Sequence, residues 1–330
     1  MSLPVKAAPA GDALDRPAVL VTQPTRVALM AAAYAGQRIV AVGERGVIAM
    51  SDDGGKQWRQ SPVPTSVTLT AVRFSDERRG VVVGHGGTVL TTEDGGATWT
   101  RRLDGRQAAA IAQDAARRSA SPSRVKEAQR LVAEGPDKPF LDVLMWDSQR
   151  ILAVGAYGLA FGTVDGGLTW TSWMDRMPNQ KGQHLYVARR SGDILIVAGE
   201  QGLALRSTDN GESFKSIPSP YKGSWFAAEF LGPNDVVLAG LRGNVWRSSD
   251  AGGRWTQVAN QSQASITASR FSGGYLLMSN QAGMVLRLDG DALVPINREP
   301  IAPLAAIIGA GRNVLGFGSA GVQHITAGAK

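Results

Sequence analysis

One eight-residue pattern, Ser/Thr-x-Asp-x-Gly-x-x-aromatic, is written five times: Ser51–Trp58, Thr92–Trp99, Thr163–Trp170, Ser207–Phe214 and Ser248–Trp255. The closing aromatics stand 41, 71, 44 and 41 residues apart. The long interval is one ordinary step plus an insertion, so the period is close to forty residues, the length of one unit in a repeat architecture. A second repeat runs half a unit ahead of the first. It comprises Gly43-Glu-Arg-Gly46, Gly84-His-Gly-Gly87, Gly155-Ala-Tyr-Gly158, Gly199-Glu-Gln-Gly202, Gly240-Leu-Arg-Gly243, Asn280-Gln-Ala-Gly283 and Gly318-Ser-Ala-Gly321. That makes seven units, which with one insertion fill the 330 residues. Asn280 replaces the first Gly of its turn and is expected to take up the positive φ that Gly tolerates.

One unit reads as four strands. Leu69–Phe74 is followed by a polar turn, Ser75–Gly80. Val81–Val83 is a continuous apolar run, as expected of a strand covered on both faces. Gly84–Gly87 turns the chain into Thr88–Thr92, and the Asp pattern makes a hairpin into Trp99–Leu103. Gly supplies the angles such hairpins need, and the Asp carboxylate can accept hydrogen bonds from its own turn. Asp53, Asp94, Asp165, Asp209 and Asp250 are therefore structural residues in this reading. Four antiparallel strands repeated radially form a β-propeller blade, so the chain is read as all-β, a seven-bladed propeller. The last unit, from Leu304 to Thr326, supplies three strands. A strand-like run at Pro17–Val21, continuing to Thr25–Val27, is expected to complete that blade and remove the exposed sheet edge. The sixth unit replaces the Asp pattern with Asp289-Gly290, an ordinary hairpin signal. Residues 1–16 read as a flexible tail and 17–330 as one domain, with the insertion at about 104–135.

The five Asp patterns, with the Gly-x-x-Gly turns that precede them, resemble the BNR/Asp-box propellers, and most of all the photosystem II stability/assembly factor-like family. The resemblance covers roughly residues 28–326. It implies a non-catalytic, chaperone-like scaffold for membrane protein complexes on the extracytoplasmic or lumenal side. Asp boxes also occur in sialidases and sorting receptors, so the pattern speaks for architecture more than for activity. A sialidase-like hydrolase or carbohydrate-binding propeller is the alternative. Sialidases carry an early Arg-Ile-Pro segment, which this chain lacks. Glycosidase chemistry needs two carboxylates flanking one bond, whereas the recurrent aspartates here belong to turns. No catalytic residue, and no enzyme, is expected.

The chain has no Cys, which excludes disulfides and thiolate chemistry. Asp52-Asp53-Gly54 lacks the alternating ligands of a calcium loop, and His85, His184 and His324 fall in different units, so neither metal nor cofactor is expected. Gly84-x-Gly-Gly precedes a strand, unlike a dinucleotide fingerprint. The net charge of +7 is carried mostly by dispersed Arg, without a nucleic-acid-binding motif beside them. No apolar run is long enough to span a bilayer. The opening residues read as the polar tail that follows a removed export signal, which points to the periplasm or another extracytoplasmic space. The expected partner is a protein of a membrane complex, bound by a monomer.

Residues Arg101–Gly135 carry the helical text of the chain. Ala108, Ile111, Ala112 and Ala115 form one helix-spaced stripe, and Val125, Ala128, Leu131 and Val132 another, with Ser121-Pro122 as the start of the second helix. Arg106, Arg117, Arg118, Arg124, Lys126 and Arg130 are expected on the exposed faces. The insertion lies between an outer strand and the next inner strand, which places it on the face of the Gly-x-x-Gly turns, opposite the Asp boxes. That face collects Glu44, Arg45, His85, Tyr157, Glu200, Gln201, Arg242 and Gln281, side chains that vary within a constant turn. Aligning the inner strands puts Arg73, Arg189, Glu229 and Arg270 at one equivalent position, with Leu144 apart from them. If that position faces the channel, the arginines could hold a carboxylate, phosphate or acidic peptide. Arg45, Arg73, His85, Tyr157, Arg189, Glu229, Arg242 and Arg270 are the candidate binding residues.

Overall fold

The computed structural model describes residues 12–119, 122–310 and 313–325. The first blade is β1 (Leu29–Ala35), β2 (Arg38–Gly43), β3 (Ile48–Ser51) and β4 (Arg59–Gln60). The second is β5 (Leu69–Phe74), β6 (Gly80–Gly84), β7 (Val89–Thr92) and β8 (Thr100–Leu103). Helices α1 (Gly105–Ser119) and α2 (Pro122–Glu134) follow. The third blade is β9 (Phe140–Met145), β10 (Ile151–Gly155), β11 (Ala160–Thr163) and β12 (Thr171–Ser172), and the fourth β13 (Leu185–Ser191), β14 (Ile194–Gly199), β15 (Ala204–Ser207) and β16 (Lys215–Ser216). The fifth is β17 (Trp225–Phe230), β18 (Val236–Gly240), β19 (Val245–Ser248) and β20 (Thr256–Gln257). The sixth is β21 (Ile266–Ser272), β22 (Tyr275–Asn280), β23 (Val285–Asp289) and β24 (Ala292–Pro295). The seventh holds β25 (Leu304–Ala310), β26 (Asn313–Gly318) and β27 (Gly321–Ile325). Among the described residues every sheet is an antiparallel meander in chain order; six have four strands and the last has three.

The second strand of each blade is buried on both faces, as in Gly80–Gly84 and Val236–Gly240. Its apolar side chains pack against both neighbouring blades. A hydrophobic cluster fills each of the seven junctions between blades. The one between blades 7 and 1 joins Leu29, Ile39 and Ala41 to Ile308, Leu315 and Phe317, and closes the ring.

Closure differs from the expected fourth strand. Residues 17–27 form no strand, and their tie to β27 is a single backbone bond in which Val322 N–H donates to Thr25 O at 2.9 Å. The stretch before it leans on blade 1 instead: Ala18 N–H donates to Val63 O and Val21 N–H to the Gln60 side chain. Residues 12–16, within the segment read as a tail, are docked. Leu14 is buried, Arg101 donates to its carbonyl, and Asp12 and Asp15 pair with Arg106. The earlier residues of that tail lie outside the described ones.

Asn280 supports its turn by another means than positive φ. The first residue of the turn is extended, with φ −166° at Gly43 and −172° at Gly84. Glycine is needed there because the inner strand's entry crowds it: a Cβ on Gly43 would sit 2.1 Å from Ala28 O, and one on Gly199 2.0 Å from His184 O. Asn280 lies outside the positive-φ residues, and its side-chain oxygen accepts the N–H groups of Ala282 and Met284.

The Asp boxes are self-contained turns. Asp53 accepts the N–H groups of Lys56 and Gln57, and Asp209 that of Ser213. The leading Ser or Thr hydroxyl accepts from the Gly at the fifth position of the box, as Thr92 does from Gly96 at 2.9 Å and Ser207 from Gly211. The aromatic then wedges against the preceding blade. Trp99 lies in the cluster between blades 1 and 2, Trp170 between 2 and 3, and Phe214 between 3 and 4. A Cβ on Gly252 would meet the end of the Ile217 side chain at 2.5 Å, so this box turn packs its backbone directly on the neighbouring blade.

The insertion is a helical hairpin. Asp104 caps α1 by accepting from the N–H groups of Arg106 and Gln107, while the Gln107 side chain accepts the Asp104 N–H in return. Ser121 lies outside the described residues; Pro122 opens α2.

Candidate functional site

In blades 1 to 5 each Gly-x-x-Gly segment is one 3-10 turn between the second and third strands. Its third residue is left-handed, with φ near +50° to +65° in the five turns through blade 5. Blade 2 uses Gly86 there, but four blades place a side chain: Arg45, Tyr157, Gln201 and Arg242, all exposed. That conformation costs an L-residue roughly 1–2 kcal/mol, and strain kept at exposed sites points to use. These residues and His85 are arrayed one per blade around the face rather than gathered. Glu44 and Glu200 turn inward, accepting the N–H groups of Ala28 and His184.

The insertion roots on this same face, where Gly87 N–H donates to Lys138 O at 2.8 Å. Its cationic surface is smaller than the sequence implies. Arg106 is paired with Asp12 and Asp15, Arg124 with Glu127 and Asp175, and Arg130 with Glu134. Arg117 reaches Asp114 at 3.4 Å, so among the described residues Arg118 and Lys126 keep their charge unpaired.

From the insertion an aromatic path leads inward. The Lys138 ammonium lies 5.4 Å from the Tyr157 ring centroid, Tyr157 is 4.8 Å from His184, and His184 stacks on Tyr186 at 5.9 Å. Tyr186 meets Phe226 edge-on at 5.3 Å at the mouth of the channel. Tyr157 was legible as a turn tip. Tyr186 and Phe226 were not singled out, although both occupy the second position of their inner strands.

The channel gathers the inner-strand charges. Arg73 pairs with Asp142 at 3.0 Å, Arg189 pairs with Asp142 as well, and Arg189 approaches Glu229 at 3.6 Å. Asp142 also accepts the Ala188 N–H, and Ser269 donates to Glu229. Burial works against the Asp142 carboxylate, but Arg189 and Arg73 outweigh it and hold the carboxyl below its usual range. Burial pushes the Arg73 guanidinium down to about 10, with Asp142 opposing and Arg189 and Arg270 adding to the fall; it stays protonated at neutral pH. Asp142 is the residue missed by aligning the fifth position of the inner strands. It sits at the third, where Ala31, Ala71, Val187, Ala227, Ala268 and Ala306 stand in the other blades. Among the described residues no cluster of His, Asp and Glu could hold a metal ion, and no helix is long and apolar enough to cross a membrane.

The model of the photosynthesis system II assembly factor YCF48 family matches residues 55–117 and 122–299. A photosystem II assembly lipoprotein Ycf48 from Synechococcus sp. (strain CC9902) is 26% identical over 143 residues, covering 42% of this chain and 43% of that relative's length. A structure of YCF48 bound to D1 peptide superposes with a TM-score of 0.65 at 13% identity, covering 95% of this chain and 97% of the other. YCF48 from Cyanidioschyzon merolae gives 0.65 at 16% identity, covering 92% and 97%. The WD40 propeller domain of Doa1 reaches 0.61 at 9% identity over 94% of each chain, so superposition at this level speaks for the fold alone.

Proposed function

This chain belongs to the photosynthesis system II assembly factor YCF48 family, and we propose on that footing that it is a non-catalytic, chaperone-like scaffold that binds a protein partner at a membrane complex. The observation that carries the reading is the set of four strained, exposed side chains, Arg45, Tyr157, Gln201 and Arg242, held on one face by a constant turn. A rigid turn that repeatedly presents a side chain where Gly would fit more easily is built for contact. His85, Arg118 and Lys126 extend this surface. A relative is known bound to D1 peptide, and another is named a lipoprotein; both favour a membrane-protein partner and an extracytoplasmic location for this chain.

The test is capture from a solubilised native membrane fraction by the immobilised protein. The double change Arg45→Glu and Arg242→Glu should abolish capture at unchanged melting temperature, while Asp209→Ala on the opposite face should leave it. The reverse pattern would move the working surface to the Asp-box side. The pure protein is expected to turn over neither a sialoside nor an aryl glycoside, and turnover abolished by one carboxylate substitution would restore the hydrolase alternative.

A further inference from the structure

Three guanidiniums and two carboxylates face the channel, one positive charge in excess. The excess falls on Arg270. Asp142 is occupied by Arg73, Arg189 and the Ala188 amide, and Glu229 by Arg189 and Ser269. Among the described residues Arg270 makes no ion pair and no hydrogen bond, and its Nε is buried without a partner. A guanidinium cannot relieve an unpartnered Nε by losing its proton near neutral pH, and buried polar groups in proteins are hydrogen-bonded. No carboxylate in the channel is free to pair with it.

We propose that the central channel is a binding site for a single carboxylate, held by the fork of Arg270 with Arg73 as the second cation. Two parallel N–H donors match the two oxygens of a carboxylate. The channel offers about 280 Å³, enough for the anion and several waters at ~30 Å³ each. Small side chains at its wall, Ala31, Ala71, Ala268 and Ala306, leave that space open. The carboxylate can come from a free anion or from the end of a polypeptide, and the chemistry at Arg270 is the same for both. The site is separate from the turn face, so Arg45→Glu with Arg242→Glu should abolish partner capture and leave carboxylate binding unchanged.

The experiment is calorimetric and thermal titration of the full chain with sodium acetate, with acetyl-trialanine and with the C-terminal amide of that peptide. Sodium chloride at equal ionic strength is the control. Wild type should bind acetate saturably beyond the chloride control. Arg270→Gln should lose at least tenfold in affinity, while its melting temperature without added anion stays equal to or above that of wild type, because the channel's excess positive charge is gone. Arg118→Gln, on the insertion, should bind as wild type does. A free-acid peptide bound at least tenfold more tightly than acetate assigns the carboxylate to a chain end; equal affinity assigns it to a free anion; both uphold the site. No binding of any of these by wild type, or equal acetate affinity in Arg270→Gln, overturns it. Should Arg270→Gln fail to fold, Arg270→Lys decides: it keeps the charge but loses the fork, and acetate affinity equal to wild type would sink the proposal.

Discussion

Arg242 shows how a single dihedral angle separates stability from binding. At φ +56° its side chain is strained and exposed. Arg242→Gly should therefore stabilise the fold by about 1 kcal/mol, read from the urea midpoint, while weakening partner capture. A loss of stability would show that the side chain makes contacts the turn depends on. The box aspartates invite a pH argument. Burial opposes Asp165, but the Thr169 hydroxyl and amide outweigh it and bring its pKa from 3.8 to about 2. The folded value lies below the unfolded one, so its contribution is full above about pH 4 and fades as pH falls towards 2. The stability gap between wild type and Asp165→Ala should shrink across that window in urea titrations, and a constant gap would argue against the assignment. Asn280 marks the limit of reading at this scale. Its pattern position was legible, but the reason for Gly there, a carbonyl 2.1 Å from where a Cβ would stand on Gly43, belongs to a neighbouring strand.

The Asp box is more than a hairpin, since each one pins its blade to the blade before it. Replacing Asp94 with Ala should cost roughly 1–2 kcal/mol through lost turn hydrogen bonds, and replacing Asp209 should also destabilise, both measured by denaturant unfolding, with partner capture intact. The repeat made the boxes and strands plain in the sequence, because period and glycine chemistry are local. The wedging of Trp99 and Trp170 into the previous blade was not plain, because the two partners are a whole repeat apart. Ala108, Ala112, Ala116 and Ala128 share a buried cluster with Phe140, Val143 and Phe161, so removing residues 106–134 should open the junction between blades 2 and 3. Arg118→Glu with Lys126→Glu is the cleaner probe, expected to reduce capture without moving the melting temperature. The channel was half legible: the fifth inner-strand position revealed Arg73, Arg189, Glu229 and Arg270. Asp142 escaped because it interrupts a row of small residues two positions earlier.

At the scale of the ring, a partner surface carrying Arg45, Arg242, Arg118 and Lys126 should bind more weakly as salt rises, because exposed charges are screened; capture independent of ionic strength would remove electrostatics from recognition. Phe317 is fully buried at the junction of blades 7 and 1 and meets Trp58 edge-on at 6.1 Å. Phe317→Ala should cost about 3–5 kcal/mol, measured by denaturant unfolding. The three-stranded last blade has a kinetic meaning as well. Among the described residues its junctions with blades 6 and 1 each bury seven apolar residues, against sixteen where the insertion reinforces blades 2 and 3, and the junction with blade 1 has one backbone bond to Thr25 in place of a strand ladder. Such a junction is the natural gate for partial opening, because the lowest-energy excursions of a protein use its least buried cooperative unit. Amide hydrogens of β26 and β27 should then exchange with solvent before those of β6 and β10. The lifetime of the closed circle would be set by how often this one gate swings open, whatever the strength of the other six.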